Sequence, residues 1–325
     1  MAEKKKRFPL GCIFLSVGFT LVLFVIVGFV GLAFLQAFRY SLSEKIAHID
    51  VEGVITSAPQ ASVLGSSSSM VRRVSQTLKR AREDDSVRAV VLRVNSPGGE
   101  VTAADTIYHH VKKTAKVKPV IIFMDSMAAS GGFYIACAGT EIVANRTTMT
   151  GSIGVIISTL NYSEVLQKVG LEALTFTSGK FKDSLSGTRP MRPDERDLIQ
   201  SMVLQTYERF LEVVKEARPD IPDGKLRNSI ADGRIISGQD ALSQGLIDQT
   251  GYLEDAYARA RELANAPNAK VIRFSEETSL GEALGLMKAK LFGQPAAEVE
   301  LRIPGLPTTE LQPGVPYLLP PTYAP

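Results

Sequence analysis

Histidine is scarce in this chain of 325 residues: only His48, His109 and His110. A serine nucleophile usually depends on histidine as its base. His48 falls in a strand-like run and the other two are adjacent on a helical stretch, where surface or packing roles are the ordinary outcome. A histidine-based triad therefore has little to stand on. Cysteine is scarcer still, and Cys12 and Cys137 both sit in apolar surroundings. That excludes a disulfide framework and leaves both as packing residues. No G-x-S-x-G elbow occurs, which removes the usual hydrolase turn. The stretch "SGK" ending at Lys180 lacks the rest of a phosphate loop, so nucleotide binding is excluded. Net charge is only +3, and Lys4, Lys5, Lys6 and Arg7 cluster at the start. The remainder is close to neutral, so no nucleic-acid partner is expected.

Charge is missing altogether between Arg7 and Arg39. An apolar run of that length exceeds the roughly 20 residues that cross a bilayer. It is too long for the apolar region of a cleaved leader and ends without a small-x-small site. Residues 1–9 are therefore expected to be a cytoplasmic basic N-terminus, and 10–38 a transmembrane signal anchor. The basic cluster keeps the N-terminus inside, which places residues 39–292 outside the cytoplasmic membrane as the main domain.

Within that domain, strand, turn and helix alternate. "IAHIDVEGVI" reads as a strand, "MVRRVSQTLKRARED" as an amphipathic helix with a basic, solvated outer face, and Ala89–Ser96 as a buried strand. Next come the turn "PGG", a helix over Glu100–Lys116, the strand "PVIIFMDS" and a short helix in "AASGGFYIACAG". This order predicts an α/β fold with parallel pairing. A long helix follows in "RPDERDLIQSMVLQTYERFLEVVKEARP", with one apolar stripe through Leu198, Met202, Tyr207, Phe210, Leu211 and Val214. Two shorter helices and the strand "KVIRF" complete the domain. Residues 293–325 form a proline-rich tail, too interrupted for regular structure.

Ser130 stands out, set between two alanines and two glycines. Without histidine, its base would have to be a lysine held neutral, and lowering a lysine pKa from near 10.4 to about 7 or 8 takes burial among apolar groups. Lys180 and Lys182 follow an expected short strand. They flank Phe181 and would share one side of extended backbone, so local geometry does not choose between them. Charge developing on a carbonyl oxygen needs backbone donors. Gly98 and Gly99 of "NSPGGEV", at a helix start, supply them in principle, and Gly131 after Ser130 offers another.

The segments "VNSPGG", "SMAASGGFYIA", "TGSIGVI", "SGKFKD" and "GRIISGQDALSQGLID", in this order and spacing, resemble the bacterial signal peptide peptidase A, or protease IV, family over about Ile46–Ala264. The resemblance implies a Clp protease/crotonase-like fold and a Ser–Lys dyad with no metal or organic cofactor. It assigns Ser130 as nucleophile, Lys182 as general base, Ser152 as the residue orienting the lysine, and Gly98, with Gly99, as oxyanion donor. It further implies apolar peptide substrates such as cleaved signal peptides. The short single-copy form implies a ring- or dome-like homo-oligomer, in which the lysine comes from the same or a neighbouring subunit. Two other readings carry different expectations. A silent membrane scaffold would not react at Ser130, and a crotonase-type acyl-transfer enzyme would bind coenzyme A.

Overall fold

The computed structural model describes residues 43–59, 68–274 and 317–318, together with Phe29 and Gly31. The membrane expectation for residues 10–38 lies outside the described residues except at Phe29 and Gly31, which are helical. Among the described residues no helix is long and apolar enough to cross a membrane. Cys12 also lies outside them.

From Lys45 onward the chain is α/β. Its main sheet has eight strands. The central four, β1 (Lys45–Glu52), β2 (Val87–Ser96), β4 (Val120–Ala129) and β9 (Lys270–Arg273), run parallel in the order β4-β2-β1-β9. β4 then serves two partners in succession. Ile121–Met124 pair with β5 (Glu141–Ala144), whereas Met127–Ala129 pair with β6 (Met149–Gly151). β6 continues to β7 (Ile235–Ser237), antiparallel, and β5 to β8 (Gln249–Thr250). A register shift between Val94 and Ser96 accompanies the change of partner.

The strands are apolar on both faces because both are covered. Val90, Leu92 and Val94 of β2, with Ile122 and Met124 of β4, belong to the larger core, under α1 (Met70–Glu83), α2 (Val101–Ala115) and α3 (Gly131–Ala136). Their neighbours Ala89, Val91, Ile121 and Phe123 point the other way, against Ala256 and Ala260 of α7 (Leu253–Leu263). Each fully buried Val, Ile or Leu contributes roughly 1.5–3 kcal/mol. Slipping a strand by one residue would exchange the two sets, so the register is well determined.

Local signals explain the helix ends. Ser69 caps α1, its hydroxyl accepting from the Arg72 amide at 3.3 Å. Ser237 does the same for α6 (Gly238–Gln244), accepting from the Asp240 amide at 3.1 Å, and Gly245 closes that helix at φ 80°. The long helix α5 (Pro193–Ala217) begins with proline at its first position.

Three expectations need correction. The short strand before Lys180 is absent: α4 (Ser163–Lys168) is followed by irregular chain, and Lys180 and Lys182 lie on turns rather than extended backbone. The α5 stripe is buried only in its second half, at Phe210, Leu211, Val213 and Val214; Leu198 and Met202 are exposed. The proline-rich tail does form regular structure at one point. Tyr317–Leu318 is a strand, β10, paired antiparallel with β3 (Gly99–Glu100), a two-residue strand inside the expected "PGG" turn and helix start.

Candidate active site

Ser130 follows β4 directly and caps α3, with φ 52° and ψ −114°. L-residues rarely adopt such a backbone, and holding one there costs of order 1–3 kcal/mol. The small neighbours identified in the sequence make the turn possible. A Cβ on Gly132 would come 3.0 Å from the Ser96 carbonyl oxygen, so a side chain there would push α3 off the end of β2. Phe133, fully buried, and Tyr134 hold α3 from behind. Tyr134 packs edge-on against Tyr108 and Phe210, and its hydroxyl donates to Asp105 at 2.6 Å.

Ser130 is fully buried, and its Oγ has no hydrogen-bond partner. Its amide donates to the Gly151 carbonyl at 2.9 Å, which continues the β4–β6 ladder and brings Ser152 alongside. Ser152 is buried as well and left-handed, at φ 50°, with its amide donating to Arg234 at 2.7 Å. The sheet therefore brings Ser130 and Ser152 together, and Ser96, paired with Ala128, sets the "PGG" turn beside them.

In that turn Gly98 has φ 107°, a conformation that suits glycine. Its N–H donates to Ser96 Oγ at 3.0 Å, while its carbonyl accepts from the Ile55 amide at 2.8 Å. The Gly98 donor is thus aimed inward and provisionally satisfied by a side-chain hydroxyl. Gly99 has a different reason to be glycine: a Cβ there would stand 1.9 Å from the Ile55 carbonyl oxygen. Gly131 opens α3, so its N–H has no acceptor within the helix.

Lys182 is not with this group. It is exposed, on a turn closed by its own amide donating to the Gly179 carbonyl at 3.1 Å. Lys180 is also exposed and is ion-paired with Asp194. The turn is fastened by residues that the sequence reading missed. Arg189 donates to both oxygens of Asp183, at 2.7 and 2.8 Å, and to Glu195 at 2.9 Å. Glu195, buried at the start of α5, also accepts from the Leu185 and Arg192 amides, at 2.8 and 3.3 Å. The Arg189 hydrogen bonds hold the Asp183 and Glu195 carboxyls below their ordinary pKa and raise that of Arg189. An acidic residue three places into a helix that starts with proline was the available signal.

Beside Ser152 a cavity of about 390 Å³ is lined by apolar Ile153, Val155, Ile156, Val203 and Leu204, with Tyr207 and Asp232 at its polar side. The surrounding segment carries many exposed apolar side chains, among them Leu160, Val165, Leu174 and Phe176, the last 95% exposed. Large apolar surface of this kind marks an interaction site.

The remaining singled-out groups belong to structure. His48 has both ring nitrogens engaged: Nε2 lies 3.0 Å from Asp50 and Nδ1 2.8 Å from the Tyr257 hydroxyl, on the α7 face of the sheet. His109 and His110 stack edge-on on α2. Burial pushes the Cys137 thiol up to about 12, which leaves it inert.

Comparison with known proteins bears on this arrangement. The family model of peptidase family S49 matches residues 112–267. A protein of Enterococcus faecium named as a signal peptide peptidase is 36% identical over 238 residues, covering 73% of this chain and 69% of that one. A protein of Methanocaldococcus jannaschii named as a protease is 38% identical over 61% of this chain and 63% of its own length. Protease 4 of Haemophilus influenzae is 31% identical over 78% of this chain, which spans only 40% of that longer protein.

Proposed function

Because this chain belongs to the signal peptide peptidase A family, peptidase family S49, and is thereby a serine peptidase, we propose that Ser130 is its nucleophile and Lys182 the general base, brought together between neighbouring subunits of a homo-oligomer. The observation that carries the reading is Ser130 itself. A serine is held in strained backbone, its hydroxyl buried and unpartnered, with Ser152 on one side and the Gly98 turn on the other. Natural structures rarely leave a buried hydroxyl unsatisfied without a use for it.

A base lysine needs an apolar enclosure that Lys182 lacks on its own turn. The cavity beside Ser152 supplies one, and the exposed apolar segment around Lys182 supplies a surface by which a neighbouring copy docks. Lys182 then enters next to Ser130, and Ser152 orients it. Ser130 Oγ attacks the peptide carbonyl while Lys182 takes its proton. The Gly98 N–H leaves Ser96 Oγ for the developing oxyanion, with Gly131 as second donor and Gly99 shaping the turn. Lys182 passes the proton to the leaving amine, and water releases the acyl group from the serine. No metal or organic cofactor takes part.

The order of strands and the departure of β4 towards β6 fit a Clp protease/crotonase-like fold. Substrates are extended apolar peptides, remnant signal peptides among them. The uncharged run 10–38 anchors the chain in the bacterial inner membrane, N-terminus inside, so that the peptidase domain works outside the cytoplasm where such peptides are left.

The test is complementation. Ser130→Ala and Lys182→Ala chains are each expected to be inactive on an unstructured apolar peptide. Assembled together in detergent they should regain a substantial share of activity, because a mixed interface joins an intact Ser130 to an intact Lys182. Inactive mixtures, in mixed oligomers verified by mass, would restrict the dyad to one chain; undiminished turnover by either variant alone would sink it.

A further inference from the structure

The tail strand β10 lies one residue from the oxyanion turn. β3 is held on one side by Ile55, whose amide donates to the Gly98 carbonyl and whose carbonyl accepts from the Glu100 amide, both at 2.8 Å. Backbone groups alternate in direction along a strand, so the N–H and C=O of Gly99 face the opposite edge. β10 takes that edge, with Tyr317 opposite Glu100 and Leu318 opposite Gly99. An extended peptide that adds itself to a strand edge gains main-chain hydrogen bonds whatever its sequence. A substrate whose carbonyl is to reach the Gly98 amide needs this same edge.

The direction of pairing matters. Reading from Glu100 to Gly99 to Gly98 runs along Tyr317, Leu318 and then Leu319, and the residues after Leu319 are Pro320 and Pro321. We propose that the C-terminal tail binds in the substrate's own register, with the Leu319–Pro320 bond presented to Ser130, as a built-in inhibitor that resists cleavage. This rests on the reading of Ser130 as nucleophile. Resistance comes from the proline. Its nitrogen carries no hydrogen, and the ring Cδ stands where an ordinary amide has its small N–H, beside the serine, when that nitrogen has to turn its lone pair towards the proton donor. The ring also restricts the residue before it to extended backbone, which favours binding as a strand. The tail therefore combines an extended apolar stretch that fits the edge with a bond that does not break. Tethering to the same chain raises its local concentration far above that of free peptides, so substrates have to compete with it.

The experiment uses the full-length chain in detergent, a chain lacking residues 313–325, and a Pro320→Ala chain, with a fluorogenic apolar peptide as substrate. Removing the tail should lower KM about tenfold with kcat unchanged. A labelled synthetic peptide of residues 313–325 should bind the shortened chain, compete with substrate, and bind the full-length chain about tenfold more weakly. In the Pro320→Ala chain, Ser130 Oγ should acylate on the Leu319 carbonyl as the C–N bond breaks and Lys182 protonates the departing amine. Water then leaves a chain ending at Leu319 and a free hexapeptide, both visible by intact mass, and neither should form when Ser130→Ala is added. Equal KM for long and short chains, with no binding of the tail peptide while substrate is hydrolysed, would overturn the tail assignment. Binding of the tail peptide without hydrolysis by any form would instead keep the docking, remove the inhibitor role and tell against Ser130 as nucleophile.

Discussion

Ser130 sits at the end of a ten-residue strand with buried chain on every side, whereas Lys182 rides on an exposed turn tied to the rest by one arginine and two carboxylates. The serine side is over-determined: β4, β6, β2 and α3 all converge on it, which is how an unfavourable φ of 52° persists. The lysine side has almost no apolar packing of its own, and its large side chains face outward. A nucleophile has to be placed within fractions of an ångström, and only packed backbone does that. A base delivered by a docking partner needs instead a surface that remains uncovered until the partner arrives.

One substitution made in both places sharpens this contrast most. Gly99→Ala sets a Cβ 1.9 Å from a backbone oxygen, so we expect about 3 kcal/mol of lost stability, read as a lower urea midpoint, and loss of turnover. Gly179→Ala, with nothing within 4 Å, should leave the midpoint where it was. Equal effects would dissolve the distinction between the two regions.

A smaller effect is expected from Glu195→Gln. It removes one charge from the clasp under the Lys182 turn while Asp183 still pairs with Arg189. Turnover should fall about tenfold through misplacement of the base, with the thermal midpoint of the sheet shifting by no more than a few degrees. A large fall in that midpoint would show that the clasp supports the body and not only the arm.

The smallest effect concerns acid. Burial acts to raise the Asp50 pKa, but hydrogen bonds from Arg273 and Arg93, with His48 beside it, bring it below its ordinary value. A carboxylate with a depressed folded pKa contributes stability above the unfolded pKa, near 3.8, and loses it as pH falls through the folded value. Stability measured from pH 5 down to pH 2 should therefore decline less steeply in Asp50→Asn than in the parent, by at most about 1 kcal/mol after allowance for solvent screening. Parallel declines would remove Asp50 from the account.

The legible parts of the sequence were those governed by neighbours along the chain. Strands β1, β2, β4 and β9 were evident from apolar runs, α1, α2 and α5 from their periodicity, and the turns at Ser130 and Gly98 from small residues where backbone has to pass closely. Other features depended on residues far apart. Nothing beside Gly99 announces that Tyr317 and Leu318 pair there. The first half of the α5 stripe has the same spacing as the second, yet only the second meets a core.

By itself, then, the sequence determined an α/β chain with a serine set in small residues, a lysine downstream, and a long uncharged run before them, because periodicity and steric size are local properties. Only the tertiary structure decided that Ser130, Ser152 and Gly98 share one corner, that Lys182 stands apart from them, and that the tail lies along the edge a substrate would use. Those relations are made by strand pairing and packing between distant segments, and no local propensity encodes which surface remains uncovered.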